Sequence, residues 1–351
     1  MQLSDALERL ATGGELDAAQ AESVMGEILA GRATDAQIAG LLVALRLKGE
    51  TVAEMVGFAR AMRANARPVF PAGHRTAGPL VDTCGTGGDG SGTFNISTAA
   101  AFVIAGAGVR VAKHGNRSIS SRCGSADVLE ALGIDPEYAT QQAGRAIEQI
   151  GIGFLYAPAV HPATRHAMRA RRELKLRTVF NLLGPLTNPA GASAQIAGVF
   201  SAEYAERVAQ ALGELGVSRA FAVHGRDGLD EISISGATFV AELSAGSVRC
   251  YEVTPEDFGL RRMPLTELGG GDAAQNAEII GRILGGEDGA LRYAVLANAS
   301  AALVAAGRAE GFREGAAAAA QSIDSGAAAG KLESLVRFLA VAEGPSRPVS
   351  S

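Results

Sequence analysis

The sequence predicts an α/β protein: a large domain with a mainly parallel central sheet flanked by helices, plus a small all-helical domain. Three observations carry this expectation. From Leu80 onward, short apolar segments alternate with Ala-rich helical stretches, as strands do when crossover helices link them. Before Leu80 the apolar residues recur only at helical spacing. Finally, two of the strand ends run straight into glycine-rich, hydroxyl-rich turns, where sheets of this kind hold ligands.

Taken in order, residues 1–72 form the small helical domain. Ser4 and Thr34 are expected helix caps, and Ile38, Leu41, Leu42, Leu45 and Leu47 share helical spacing. Gly13, Gly14, Gly31 and Gly49 punctuate successive helices, and Pro68 and Pro71 stop the last one. The large domain takes in 73–164 and 190–343. Its strands are expected at Leu80–Asp82, 109–113, 153–156, 195–199 and 220–224, with a β-rich stretch over 232–253. Buried helices are expected over 99–109 and over 126–132, the second opened by Ser125. A Pro- and Ser-rich tail, 344–351, is expected to fray.

The 351 residues, 47% hydrophobic and 20% charged, can bury a substantial core. The 45 glycines fall in short turns rather than in one tract, which indicates many tight loops and not disorder. A net charge of -5 argues against a nucleic-acid surface, which needs a positive excess. Cys84, Cys123 and Cys250 are odd in number and in no metal-ligand spacing, and they read as reduced thiols. The start lacks a basic, apolar leader, and no window reaches about 18 consecutive apolar residues. A cytoplasmic protein without membrane contact is the expectation.

The chemistry begins at Asp82-Thr83-Cys84-Gly85-Thr86-Gly87-Gly88-Asp89, followed by Gly90-Ser91-Gly92-Thr93 and Asn95-Ile96-Ser97-Thr98. A strand, a glycine bend and a hydroxyl-bearing helix start bring backbone N–H groups within reach of anionic oxygens. A second segment of the same design follows: Lys113-His114-Gly115-Asn116-Arg117-Ser118-Ile119-Ser120-Ser121, then Gly124 and Ser125. Any one of these residues could be an ordinary solvated loop residue, but two matched cradles point to a small molecule with two phosphate groups. The glycine spacing fits neither a dinucleotide fingerprint nor a Walker loop.

Two further groups stand out. Asp230 and Glu231 emerge from a turn after an apolar strand, as hard-cation ligands or simply as solvated turn acids. Residues 161–178 hold His161, Arg165, His166, Arg169, Arg171, Arg172, Lys175 and Arg177, the densest basic cluster. An arginine among them suits a planar carboxylate, and the rest read as a solvated helix face. His161 and His166 form no zinc motif.

With its Gly85–Asp89 turn, Asn95–Thr98, the Lys113–Arg117 run, 177–189 and the Asp230-Glu231 pair, the sequence resembles the anthranilate phosphoribosyltransferase family over nearly its whole length. The resemblance implies transfer of phosphoribosyl from phosphoribosyl pyrophosphate to the amine of anthranilate, in tryptophan biosynthesis. It implies a contribution of 165–189 to the helical domain, substrates bound at the hinge, a homodimer made through the helical domains, and Mg2+. Position by position, it implies that Gly85, Gly88, Asp89, Thr93, Asn95, Ile96, Ser97, Thr98, the run from Lys113 to Ser121, and Ser125 contact phosphoribosyl pyrophosphate. Gly85, Asn116 and Arg171 would contact anthranilate, and Ser97, Asp230 and Glu231 would hold the metal. No nucleophile–base pair is implied.

Two alternatives remain. Pyrimidine nucleoside phosphorylases share the architecture but carry Lys-His-Ser where this chain has Thr83-Cys84-Gly85. A non-catalytic, nucleic-acid-binding relative would need a basic surface, against the acidic balance found.

Overall fold

The computed structural model describes residues 1–74, 76–118 and 122–342. Ile119, Ser120 and Ser121, and the 344–351 tail, lie outside the described residues.

Four helices open the chain: α1 (Leu3–Ala11), α2 (Ala18–Leu29), α3 (Asp35–Lys48) and α4 (Val52–Ala64). Thr34 caps α3 as expected, and Asp17 and Thr51 cap α2 and α4; each accepts from an N3 amide while the N3 side chain answers. Three expectations need correction. Ser4 lies inside α1, whose N-cap is Gln2. The last helix stops at Ala64, ahead of Pro68, because Asn65 turns back and its side-chain amide donates to Ala61 O at 2.8 Å. Leu47 is 83% exposed, on the face of α3 opposite Ile38, Leu41, Leu42 and Leu45.

The sheet contains β1 (Leu80–Asp82), β2 (Arg110–Gly115), β3 (Ile152–Tyr156), β4 (Ala194–Gly198), β5 (Arg219–Gly225), β6 (Thr238–Ser244) and β7 (Ser247–Val253). Its order is β3-β2-β1-β4-β5-β6-β7. The first five strands are parallel, and β6 and β7 add an antiparallel hairpin at one edge. That hairpin occupies all but the first six residues of the stretch expected to be β-rich. Residues 232–237 form no strand, because Ser233 and Ser235 turn to bond the Asp227 carboxylate.

Helices α5 (Ile96–Gly106), α6 (Ser125–Ala131), α7 (Pro136–Ile150) and α8 (Ala157–Val160) link the first strands. Next come α9 (Arg165–Leu174) and α10 (Val179–Leu186), which leave the sheet and pack on the opening helices: α9 on α3 and α2, α10 on α4 and α3. Arg63 of α4 ties the layers together by donating to Leu186 O at 2.8 Å and Leu215 O at 3.0 Å, the carbonyls ending α10 and α11 (Ala202–Glu214). Helices α12 (Ala273–Leu284), α13 (Ala290–Ala305), α14 (Phe312–Asp324) and α15 (Ala327–Ala342) finish the cover.

Because β1 lies between β2 and β4, the chain winds one way through β1, β2 and β3 and the other way through β4 and β5. The crevice at the carboxyl ends of β1 and β4 is therefore a topological switch point, where open α/β sheets bind ligands. No helix among the described residues is long and apolar enough to cross a membrane.

Candidate active site

The first loop leaves β1 and crosses to β4. Thr86 N donates to Gly198 O at 2.8 Å, and Phe200 N donates to Thr86 Oγ1 at 3.2 Å. Glycine is required at this crossing. A Cβ on Gly85 would sit 3.0 Å from Gly198 O, and one on Gly198 would sit 1.6 Å from Asp230 O. Gly87 and Gly88 follow at φ 66° and 80°, the left-handed region open to glycine without strain. Asp89 then accepts from Ser91 N at 3.0 Å and from Asp230 N at 3.3 Å, which ties the loop to the Asp230-Glu231 turn.

Asn95 opens α5, with its side chain clamped between Cys123 O (3.2 Å) and the Asn276 amide (2.9 Å). The helix start turns the positive end of its dipole toward the crevice, while Ile96 N donates to Phe94 O at 2.8 Å and Thr98 N to Asn95 O at 3.1 Å. Ser97 and Thr98 stand in its first turn; Thr98 and the Ile96 side chain are both buried, and Ser97 is the half-buried one of the three. Thr93 faces the strap after residue 268: Thr93 bridges Gly269, and Phe94 N donates to Leu268 O.

In the second loop, Lys113 is almost wholly buried and its ammonium donates to Thr83 O, Thr83 Oγ1 and Ser97 Oγ at 3.1–3.2 Å. Burial lowers its pKa, opposed by the charges of Cys84, Asp82 and Glu231. Asp82 beneath it is fully buried and accepts His114 N at 3.0 Å; burial pushes its carboxyl up to about 6. His114 meets Gly184 O through Nδ1 at 3.0 Å and packs edge-on against His161 at 5.2 Å. Burial lowers these imidazoles to about 4 and about 3, so both are neutral near pH 7.

Past β2 the loop bonds to itself. Ser125 Oγ accepts Asn116 N at 3.1 Å and donates to Asn116 O at 3.2 Å, and Gly115 is glycine because a Cβ would fall 2.1 Å from that oxygen. Ser118 N donates to Asp127 at 3.1 Å. Arg117 is turned outward onto Asp127 (3.0 Å) and Glu130 of α6, and not over the cleft.

The acidic group comprises Asp89, Asp230 and Glu231. Burial and then Asp89 raise the Asp230 carboxyl to about 7; burial and then Asp230 raise Glu231 to about 8, with Lys113 pulling it back. Such mutual repulsion is relieved by a cation. Among the described residues no three His, Cys, Asp or Glu side chains converge as a ready-made metal cage.

On the opposite wall, α10 joins two expected anthranilate contacts. Gly184 approaches Gly85 O to 3.9 Å, measured from a Cβ placed on Gly184, and Phe180, one turn earlier on the same face, lies under the Arg171 guanidinium at 4.7 Å. Burial lowers the Arg171 pKa. Sequence reasoning missed the buried supports: His161 and Asn276 lie far in sequence from the groups they serve, and Arg177 appeared as one cation of a cluster and at the head of the 177–189 run, with no role assigned.

Comparison with known proteins bears on what this arrangement does. Residues 4–66 match the family described as "Glycosyl transferase family, helical bundle domain", and residues 77–329 match its a/b domain. An anthranilate phosphoribosyltransferase from Solibacter usitatus is 55% identical over 340 residues, 97% of this chain and 99% of the relative. The crystal structure of the enzyme of that name from Thermus thermophilus is 48% identical, with a TM-score of 0.89 over 96% of this chain and 99% of that one. The Saccharomyces cerevisiae enzyme, 26% identical, has been solved with PRPP and Mg (TM-score 0.86) and with 4-fluoroanthranilate (0.85), each covering 97% of this chain and 98% of the other. With both segments matched and about half of all residues shared with full-length relatives, the chain belongs to the anthranilate phosphoribosyltransferases, glycosyl transferases of tryptophan biosynthesis.

Proposed function

We propose that the phosphoribosyl transfer takes place in the crevice between the Gly85–Asp89 turn, the start of α5, the Asp230-Glu231 turn and Arg171. The carrying observation is the three-layer backbone crossing of Gly85, Gly198 and Asp230, which sets a phosphate-type glycine turn directly against two half-buried acids. In this reading the turn, the α5 N-terminus and the Lys113–Ser118 loop hold phosphoribosyl pyrophosphate.

Ser97, Asp230 and Glu231 would hold Mg2+. An all-oxygen donor set fits a hard cation that keeps waters and takes phosphate oxygens. Bound there, it supplies positive charge that stabilises pyrophosphate as it leaves. Lys113 holds Ser97 in place, and Asp82 fixes β2 beneath it.

Arg171 receives the anthranilate carboxylate, a planar match for guanidinium. The amine then lies toward Gly85 and Asn116. Its nitrogen lone pair forms the bond to ribose C1 as the C1–O bond to pyrophosphate breaks, and the N-alkylated anilinium sheds its proton afterwards. No strong base is required. Neutral His114 and His161 add no charge of their own beside Lys113 and Arg63. Catalysis rests on placement and on donors aimed at developing charge.

We also propose a cytoplasmic homodimer made through the helical layer, with exposed Leu47 of α3 at the contact; sedimentation of the Leu47→Glu variant as a monomer would agree. The activity test follows anthranilate fluorescence, which should fall only when phosphoribosyl pyrophosphate and Mg2+ are both present. Unchanged fluorescence, with turnover of thymidine and phosphate instead, would overturn the reading.

A further inference from the structure

We infer that Arg177 is a positioning residue that couples the two substrate subsites, so that occupation of the glycine turn by a pyrophosphate group sets the place of the arginine that receives anthranilate; the inference rests on the site proposed above. Arg177 sits in the short link between α9 and α10. Its Nη2 donates to Gly88 O, and its guanidinium lies 4.1 Å from the centroid of the Phe200 ring. Both contacts bear on the first loop: Gly88 is one of its left-handed glycines, and Phe200, just after β4, is tied to the loop by its N–H on Thr86 Oγ1. A donor on the Gly88 carbonyl fixes the plane of the peptide that also carries the Asp89 N–H.

The link itself is taut. Lys175 ends α9 at φ 50°, a left-handed conformation costly for a residue with a Cβ, and its N–H donates to Arg171 O at 3.3 Å. Thr178 begins α10 with its N–H on Asn181 Oδ1 at 3.0 Å. Arg177 is thus held a few residues from Arg171 with a cap on either side. The ion pairs of this stretch belong to Arg169, with Asp35 and Glu173; among the described residues Arg177 forms none. Its charge is therefore committed to the loop carbonyl and the aromatic face.

A loop ordered by pyrophosphate holds Arg177 in place, and the link passes that constraint to the last turn of α9, where Arg171 lies over Phe180. By linkage, each substrate then tightens the other by the same factor.

The test measures anthranilate affinity by fluorescence titration with and without inorganic pyrophosphate plus Mg2+, in the wild-type enzyme and in Arg177→Ala, Arg177→Lys and Phe200→Leu. Wild type should gain anthranilate affinity on the order of tenfold when pyrophosphate is present. Arg177→Ala should abolish the gain and raise the anthranilate KM by a similar factor, while kcat at saturation of both substrates changes little. Arg177→Lys keeps a donor for Gly88 O but loses the flat stacking, and should retain part of the gain; Phe200→Leu should behave likewise. Should Arg177→Ala fail to fold, these two variants decide. Coupling at the wild-type level in every folded variant would overturn the inference, as would its absence in the wild type or a fall in kcat with unchanged anthranilate KM. Wild-type protein without transferase turnover would instead overturn the site.

Discussion

Replacing Gly198 by alanine tests how closely the crevice is built. Gly198 ends β4, paired with Val223 of β5, and the added Cβ would stand 1.6 Å from Asp230 O. To reach ordinary contact the two backbones must part by roughly 1.8 Å. Asp230 cannot retreat freely, since its N–H is on Asp89 and Leu229 behind it is fully buried. The strain should cost about 1–3 kcal/mol of stability, as overpacking does elsewhere. The larger effect falls on chemistry: misplacement of about 1 Å at a reacting centre costs about a hundredfold. We therefore expect kcat/KM for phosphoribosyl pyrophosphate to drop at least about a hundredfold, or about 2.7 kcal/mol of transition-state stabilisation. Gly26→Ala is the matched control, because nothing lies within 4 Å of its would-be Cβ in the middle of α2. It should leave activity intact and raise stability by about 1 kcal/mol. The assay is anthranilate fluorescence decay at saturating Mg2+, beside thermal melts of both variants. Wild-type turnover by Gly198→Ala would refute the claim that Asp230 must stay where the glycine leaves it.

Other consequences are equally specific. Arg171→Ala should raise the anthranilate KM by roughly ten- to a hundredfold, the range for losing a charge-assisted hydrogen bond, with little change in the KM for phosphoribosyl pyrophosphate; equal effects on both would remove Arg171 from the carboxylate site. Glu231→Gln should weaken Mg2+ binding in calorimetry and cut turnover at limiting Mg2+, and an unchanged Mg2+ dependence would exclude it as a ligand. Lys175→Gly relieves a left-handed backbone at an exposed position and should raise stability by up to about 1 kcal/mol, seen as a small rise in melting temperature. His161, lowered to about 3 by burial, and His114, lowered to about 4, stay neutral in the fold while the unfolded chain protonates them near 6.5. Stability from these groups is present above about 6.5 and is lost as pH falls toward 4. His161→Gln should therefore melt below the parent at pH 8 and approach it by pH 5. A constant gap across that range would refute the assignment.

Much of this molecule is readable from residue pattern alone, and the reasons differ by element. The span of β1 follows from an apolar run bounded by Pro79 and a glycine turn, and α5 is marked by an Ala/Val/Ile-rich run, though it covers Ile96–Gly106 and so lies three residues ahead of the expected 99–109. Both signals are local. The halt of α4 before Pro68 is local too, but it depends on one asparagine amide that competes with no strong breaker. Leu47 misleads because periodicity cannot tell a core stripe from an exposed apolar face without knowing what packs against α3.

In the site, the glycines, the cradle residues and the two acids announce themselves by clustering. The role of Lys113 does not: its charge suggests phosphate, whereas its three oxygen partners come from β1's end and α5. Arg117 reads as an anion ligand, and no local pattern tells that α6 also brings Asp127 and Glu130 against its guanidinium. The clamp from Asn276 to Asn95 spans 181 residues, and no local pattern marks either partner for the other.

The central claim is that the carboxyl ends of β1 and β4 grip phosphoribosyl pyrophosphate against a cation held by Ser97, Asp230 and Glu231. Diffraction from crystals grown with phosphoribosyl pyrophosphate and Mn2+ locates that cation by its anomalous signal. The expected result is a peak in direct contact with oxygens of those three residues and of the pyrophosphate. A peak elsewhere, or the sugar bound away from the Gly85–Asp89 turn, would contradict the account.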